Sequence, residues 1–258
     1  MKLIRNYLSL HLKIALEYRS SFILTVISQT FAMFVELFTV MTLLNKFKLL
    51  EIYNTHELLL SFSILWLGFS LSEMFGRGFD NFSKIIINGN FDILLIRPRS
   101  IFIQIFGCEI CYEKIGRVLF SIGLFIFSVS KVVKKITLLK ILLLLFMIVG
   151  CIIVIMTVFI IGASFTFITI QGLEVINIFT NGSRQVAQYP MGIYKKGIRI
   201  FFSSVIPISL VNYYPIRYLS DKSTNLMYVF LPFLTFISFI ISIKIFKIGI
   251  KKYCSTGS

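Results

Sequence analysis

Long apolar runs separated by short polar segments dominate the chain, and residues 141–170 contain no charged side chain at all. A helix rises 1.5 Å per residue, so about 20 apolar residues cross a bilayer core. Runs of that kind predict spans at residues 21–44 and 58–75, within 101–130, and at 138–160 and 225–246. Gln29 and Glu36 lie inside the first of these and Glu73 near the end of the second. Such side chains are costly against lipid and are expected to face other helices. Residues 1–20 intersperse Leu3, Ile4, Leu8 and Leu12 with Lys2, Arg5, Lys13 and Arg19. That pattern predicts an amphipathic interfacial helix, and its internal charges argue against a cleavable signal peptide.

Residues 76–100 are too polar to span. Arg77, Lys84, Arg97 and Arg99 alternate with Phe79, Phe82, Ile85, Ile86, Phe91 and Leu94, a mixture suited to short half-buried helices. Gly89 and Asn90 break the segment in two, and Pro98 biases Arg97 away from helical geometry. Phe91, Ile93, Leu94 and Leu95 form an apolar patch that needs a cover, flanked by Asp92 and Arg97. Further on, Glu109, Glu113, Lys114 and Arg117 recur at spacings of three and four. On one continuous helix they would pair along a single face, or line a buried ionic path.

The position of the fifth span is open. It lies either at about residues 162–180, accepting Gln171 and Glu174 within it, or at about 197–214. Counting Lys and Arg by loop, the later position gives sixteen inside against eight outside, and the earlier one twelve against twelve. The positive-inside tendency therefore favours the later span.

Of 258 residues, 57% are hydrophobic and 14% charged, well below the quarter typical of soluble domains. An ordinary soluble enzyme and a secreted disulfide domain are excluded. The net charge of +15 is carried by clusters between apolar runs, where they set topology and meet anionic headgroups. Nucleic acid is therefore not an expected partner. Cys108 and Cys111 form a C-x-x-C, but no second pair follows, and His11 and His56 are the only histidines. That is too few ligands for a zinc site, and packed thiols are the better reading.

The string GNFDILLIRPRS, residues 89–100, resembles a signature of type-2 ABC exporter permeases, in the subgroup with a cytoplasmic Asp-Leu-Leu, hydrophobic, Arg-Pro loop. The stretch 188–219 resembles the same subgroup's Tyr-Pro, Ile-Pro and second Tyr-Pro, ending in a Tyr-Leu pair. The resemblance implies one all-α permease domain over residues 1–258, with six transmembrane helices. It also implies an interfacial helix at 1–20, a cytoplasmic coupling loop at 76–100 and an outer re-entrant hairpin at 183–223. That hairpin places Lys195 and Lys196 outside, against the charge count. Pro190, Pro207 and Pro215 suit a broken hairpin better than one clean span, so the hairpin is adopted.

The resemblance further implies two permease copies, or one with a paralogue, in a bacterial plasma membrane with both termini cytoplasmic. A separate ATPase subunit would dock on Phe91, Asp92, Leu94, Leu95, Arg97 and Pro98. The chain has no G-x-x-x-x-G-K-[ST] and is expected to need no cofactor, ATP being used by the partner. Glu36, Glu73, Glu109, Glu113 and Glu174 are candidates for helix contacts or a polar path. Competing classes are weaker. Neither histidine lies in an apolar run, as an intramembrane enzyme would need, and the two halves show no repeat of the kind secondary transporters carry.

Overall fold

The computed structural model describes residues 2–46, 54–133, 137–169 and 173–254, apart from the side chains of Lys2 and residues 173–179. Every regular element among them is helical. The N-terminal α1 (Lys2–Glu17) leads into α2 (Arg19–Lys46), and α3 (Thr55–Asp80) follows. Two short helices, α4 (Phe82–Ile87) and α5 (Asn90–Ile96), precede α6 (Ile101–Cys108). A 3₁₀ turn at Tyr112–Lys114 opens α7 (Ile115–Val132), and α8 (Leu138–Phe165) comes next.

Helix α9 (Leu173–Ala187) is followed by the short pieces α10 (Lys196–Ser204), α11 (Ile208–Val211) and α12 (Tyr213–Leu219). The chain ends in α13 (Met227–Phe230), a 3₁₀ turn at Leu231–Leu234 and α14 (Thr235–Lys252).

Five of these runs are long and apolar enough to cross a membrane: Arg19–Lys46, Thr55–Ile87, Tyr112–Val132, Leu138–Phe165 and Met227–Lys252. The chain is an all-α polytopic membrane protein. Six spans were expected. Between α8 and Met227, among the described residues, no helix is long and apolar enough to cross. A span at residues 197–214 would need one continuous helix, but the chain leaves helical structure after Ser204 and again at Asn212. Pro207, which cannot donate to a helical ladder, sits in the first of these breaks.

Helix α3 is the axis of the bundle, packed against α7 on one side and α8 on the other, with α14 behind α8. Its buried face includes Leu60, Ile64, Leu65 and Phe69. A smaller core joins Met33, Val40 and Leu44 of α2 to Leu58, Phe62 and Trp66. Helix α1 lies on α6: His11 Nε2 meets the Gly107 carbonyl at 3.0 Å, and the Tyr112 hydroxyl donates to the Leu8 carbonyl at 3.1 Å. Leu10 and Ile14 on one flank of that contact, and Leu12 and Leu16 on the other, are exposed.

Candidate functional site

Two features gather the polar chemistry: an ionic stripe along α3 and the α4–α5 segment at its Asp80 end. Along α3, Trp66, Phe69, Glu73, Arg77 and Asp80 follow each other at steps of three and four, so they share one face. Glu73 is the hub. Its Oε2 lies 2.9 Å from Arg117 Nη1 and 3.5 Å from Lys114 Nζ. Arg117 turns its remaining donors to Gln29, with Nε and Nη2 reaching Oε1 at 3.1 and 2.7 Å. This answers the expectation for Gln29: its amide faces a guanidinium, not lipid. A charge at membrane depth is tolerable when several partners satisfy it at once.

Trp66 extends the network. Its ring lies under two guanidinium groups, Arg117 at 5.6 Å and Arg184 at 5.3 Å from the centroid. Arg184 approaches Glu36 at 3.8 Å, and Gln188 Nε2 donates to the same carboxylate at 3.0 Å. Helices α2, α3, α7 and α9 are thus tied by side chains from each. Both positions weighed for the fifth span put Arg184 in a loop. It lies instead level with Trp66, near the middle of α3.

The expected single-face pairing of Glu109, Glu113 and Arg117 does not form, because the helix breaks. Helix α6 stops at Cys108, Glu109 is extended, and α7 resumes at Ile115. Glu109 turns back to α3, accepting from Asn81 Nδ2 at 2.7 Å, while the Cys111 amide donates to the Met74 carbonyl. Glu113 has no ion pair among the described residues, and the Glu174 side chain lies outside them. A hollow of about 450 Å³ opens beside Glu73, Arg77, Asp80, Lys84, Phe159 and Asn181. At this elbow burial, with Glu109 and Glu113 beside it, pushes the Cys111 thiol up to about 11. Burial raises Cys108 as well. A neutral thiol is a poor metal ligand, and no cluster of three metal-binding side chains occurs among the described residues.

The α4–α5 segment follows its expected punctuation. Gly89 takes φ 67°, a left-handed turn that a side chain would strain, and Arg97 is extended before Pro98. One part of the expectation changes. Phe91 and Leu94 do not wait for an outside cover, because they are buried in this chain's own core. The Phe91 ring meets Tyr253 at 4.9 Å, Phe82 at 5.2 Å and Phe167 at 5.6 Å, edge to face. Leu95 is exposed together with Ile93 and Ile96, as are Arg97 and Pro98, and Asp92 sits half-buried in the first turn.

Gln104, which the sequence pattern did not single out, is buried and holds the end of α5. Its Nε2 donates to the Leu94 and Arg99 carbonyls at 3.0 and 3.2 Å. Its isolated amide in an apolar run was the available signal.

Comparison with known proteins agrees with this architecture. The family described as ABC-2 family transporter protein matches residues 30–257. Neither curated proteins nor solved structures give a match. A match over most of the chain, on a helical bundle with a charged spine and a short anchored helix at its end, makes this chain a member of the ABC-2 transporter family, a membrane permease of an ABC transporter.

Proposed function

We propose that the chain is the permease subunit of an ATP-driven exporter, coupled through α5 to a separate ATPase subunit. The observation that carries this reading is the two-sidedness of α5. Its inner residues Phe91 and Leu94 are fixed in the core, while Ile93, Leu95 and Ile96 point outward, beside Arg97 and Pro98. A rigidly anchored helix with an uncovered apolar face can receive a push from a docked subunit and pass it to what anchors it. The anchor here includes Phe82, next to the end of α3, and Phe246 of α14. Family members work with an ABC ATPase subunit, and this chain carries no phosphate-cradling loop of its own.

In this reading α9 and the Tyr189–Pro190 elbow, which run from beside Glu73 to the Glu57 end of α3, make the sixth crossing. Helix α5 and both termini then face the cytoplasm of a bacterial cell, and residues 183–223 form an outer hairpin with Lys195 and Lys196 outward. Two copies, or this chain with a paralogue, enclose the path. The chain holds no cofactor, and ATP is consumed by the partner. Glu73 and Arg117 close the middle of the route, above the hollow next to Arg77 and Asp80. Opening requires that their pairing be exchanged for contacts with substrate or with the second copy.

The test is copurification of the ATPase subunit with the tagged permease. Ile96→Asp and Arg97→Ala should insert and fold normally, yet lose the ATPase and export. Asp92→Ala is expected to act in the same direction. Full association and full export with all three would overturn the assignment of α5 as the docking element.

A further inference from the structure

At the opposite end of α3 from Asp80, a second hollow of about 260 Å³ lies between the first turns of α3, the Tyr189–Pro190 elbow and helices α11 and α12. Leu58, Ile208, Ile216 and Met191 give it an apolar floor. Its polar groups are unevenly satisfied. Asn212, only 5% exposed, donates through Nδ2 to Ser61 Oγ at 2.6 Å and to the Ser61 carbonyl at 3.4 Å. A backbone carbonyl can only accept, which fixes the orientation of the amide. Its Oδ1 is thereby left buried with no hydrogen-bond donor among the described residues. Buried acceptors are normally answered, so this one marks a place where a donor belongs.

The charges are uneven in the same place. Lys222 Nζ pairs with Glu57 Oε2 at 2.7 Å, and the nearby Asp221 is held by Lys140 at 2.7 Å. Arg217 lines the cavity, lies 6.0 Å from the Tyr213 ring centroid, and has no carboxylate partner among the described residues. The lining therefore carries one cation in excess: Arg217 and Lys222 against Glu57.

We infer that this cavity binds the head of an anionic amphiphile. The acidic group meets Arg217, a neighbouring hydroxyl or amine donates to Asn212 Oδ1, and the first methylenes lie on Leu58, Ile208 and Ile216. A cation would face Arg217 and Lys222 with Glu57 already taken, and a neutral sugar would leave Arg217 unanswered. The volume falls just below the roughly 300–1,000 Å³ of whole small-molecule sites, which suits a headgroup with its tail left in the bilayer. A membrane lipid and an exported molecule could both present this chemistry. Only the second identification rests on the exporter reading; the binding does not.

The experiment uses the purified chain in maltoside detergent, titrated with lysophosphatidylglycerol and followed by native mass spectrometry. One saturable site is expected. Losing a charge-assisted hydrogen bond weakens binding by about tenfold or more, and Arg217→Gln should show that loss. Asn212→Ala should weaken it too, and exposed Lys247→Gln should not. Arg217 is exposed, so its substitution spares the fold and the test survives if Asn212→Ala misfolds. Absence of saturable binding, or equal loss with Lys247→Gln, overturns the site. Repeating the titration with phosphatidylglycerol as competitor separates the sources. Competition identifies a resident lipid, and undiminished probe binding identifies a free ligand; the site stands in both cases. ATPase is absent throughout, so failure here leaves the exporter reading untouched, and failure of α5 docking leaves this site untouched.

Discussion

Helices α2 and α3 are almost equally apolar by hydropathy, yet 72% of the apolar window of the α3 run is buried against 11% for α2. Ile23, Leu24, Ile27, Phe31, Phe34 and Phe38 of α2 are exposed. In α3 even Ser63, Ser70 and Ser72 are buried. Hydropathy alone therefore finds membrane helices without saying which is central. The polar residues do say it. On α2, Gln29, Met33, Glu36, Val40 and Leu44 recur at three and four, and these residues form its inward stripe. A hydrogen-bonding side chain in an apolar helix points to where its partner stands, because lipid offers none.

The sharpest way to break this comparison is to remove the hub. Glu73→Ala leaves Lys114 and Arg117 without their carboxylate, and an unpaired buried charge costs about 3–5 kcal/mol. Thermal unfolding in detergent should show that loss. The double variant Glu73→Gln with Arg117→Met should lose less than the single one. An unchanged melting temperature for Glu73→Ala would mean that water already solvates the site.

Next in size is Gly78, where α3 crosses α6. A Cβ there would run into the Ile105 carbonyl oxygen, which belongs to the backbone and has little room to yield. Gly78→Ala should cost about 1–3 kcal/mol, read from the same unfolding curves. A third measurement addresses shielding at the α6–α7 elbow. With Cys111 titrating at about 11, its alkylation by maleimide should rise about tenfold per pH unit across neutral and mildly alkaline pH. Levelling off near pH 8 would show that the elbow is open to water. The smallest effect belongs to α2. Phe31→Leu, on its outward face, should change stability by no more than about 0.5 kcal/mol unless a partner protein covers it. A larger loss in cells than in the isolated chain would identify α2 as covered by protein.

Much of this was legible in residue order because it depends on local chemistry. Apolar runs gave the continuous helices, Gly89 and Pro98 gave the ends of α5, and three prolines marked the broken stretch after α9. The inward face of α5 was also legible, since Phe91 and Leu94 are three apart, but a bare list of apolar residues concealed it. The break at Glu109 was not legible. Local spacing favoured pairs within one helix, whereas Asn81 and Met74 are distant in sequence and hold that segment by bonds that no periodicity encodes. Arg184 escaped notice for the same reason. Read as a loop charge, it is a half-buried one whose partners, Trp66 and Glu36, come from other helices.

The Trp66 joint has an optical consequence. It is the chain's one tryptophan, and it lies against two guanidinium groups from different helices. Ultraviolet emission excited at the red edge of the band, where the eleven tyrosines do not absorb, therefore comes from a single ring at the meeting point of α3, α7 and α9. Any motion that draws Arg184 away from Arg117 would shift that emission, giving a label-free report on how these three helices move against one another.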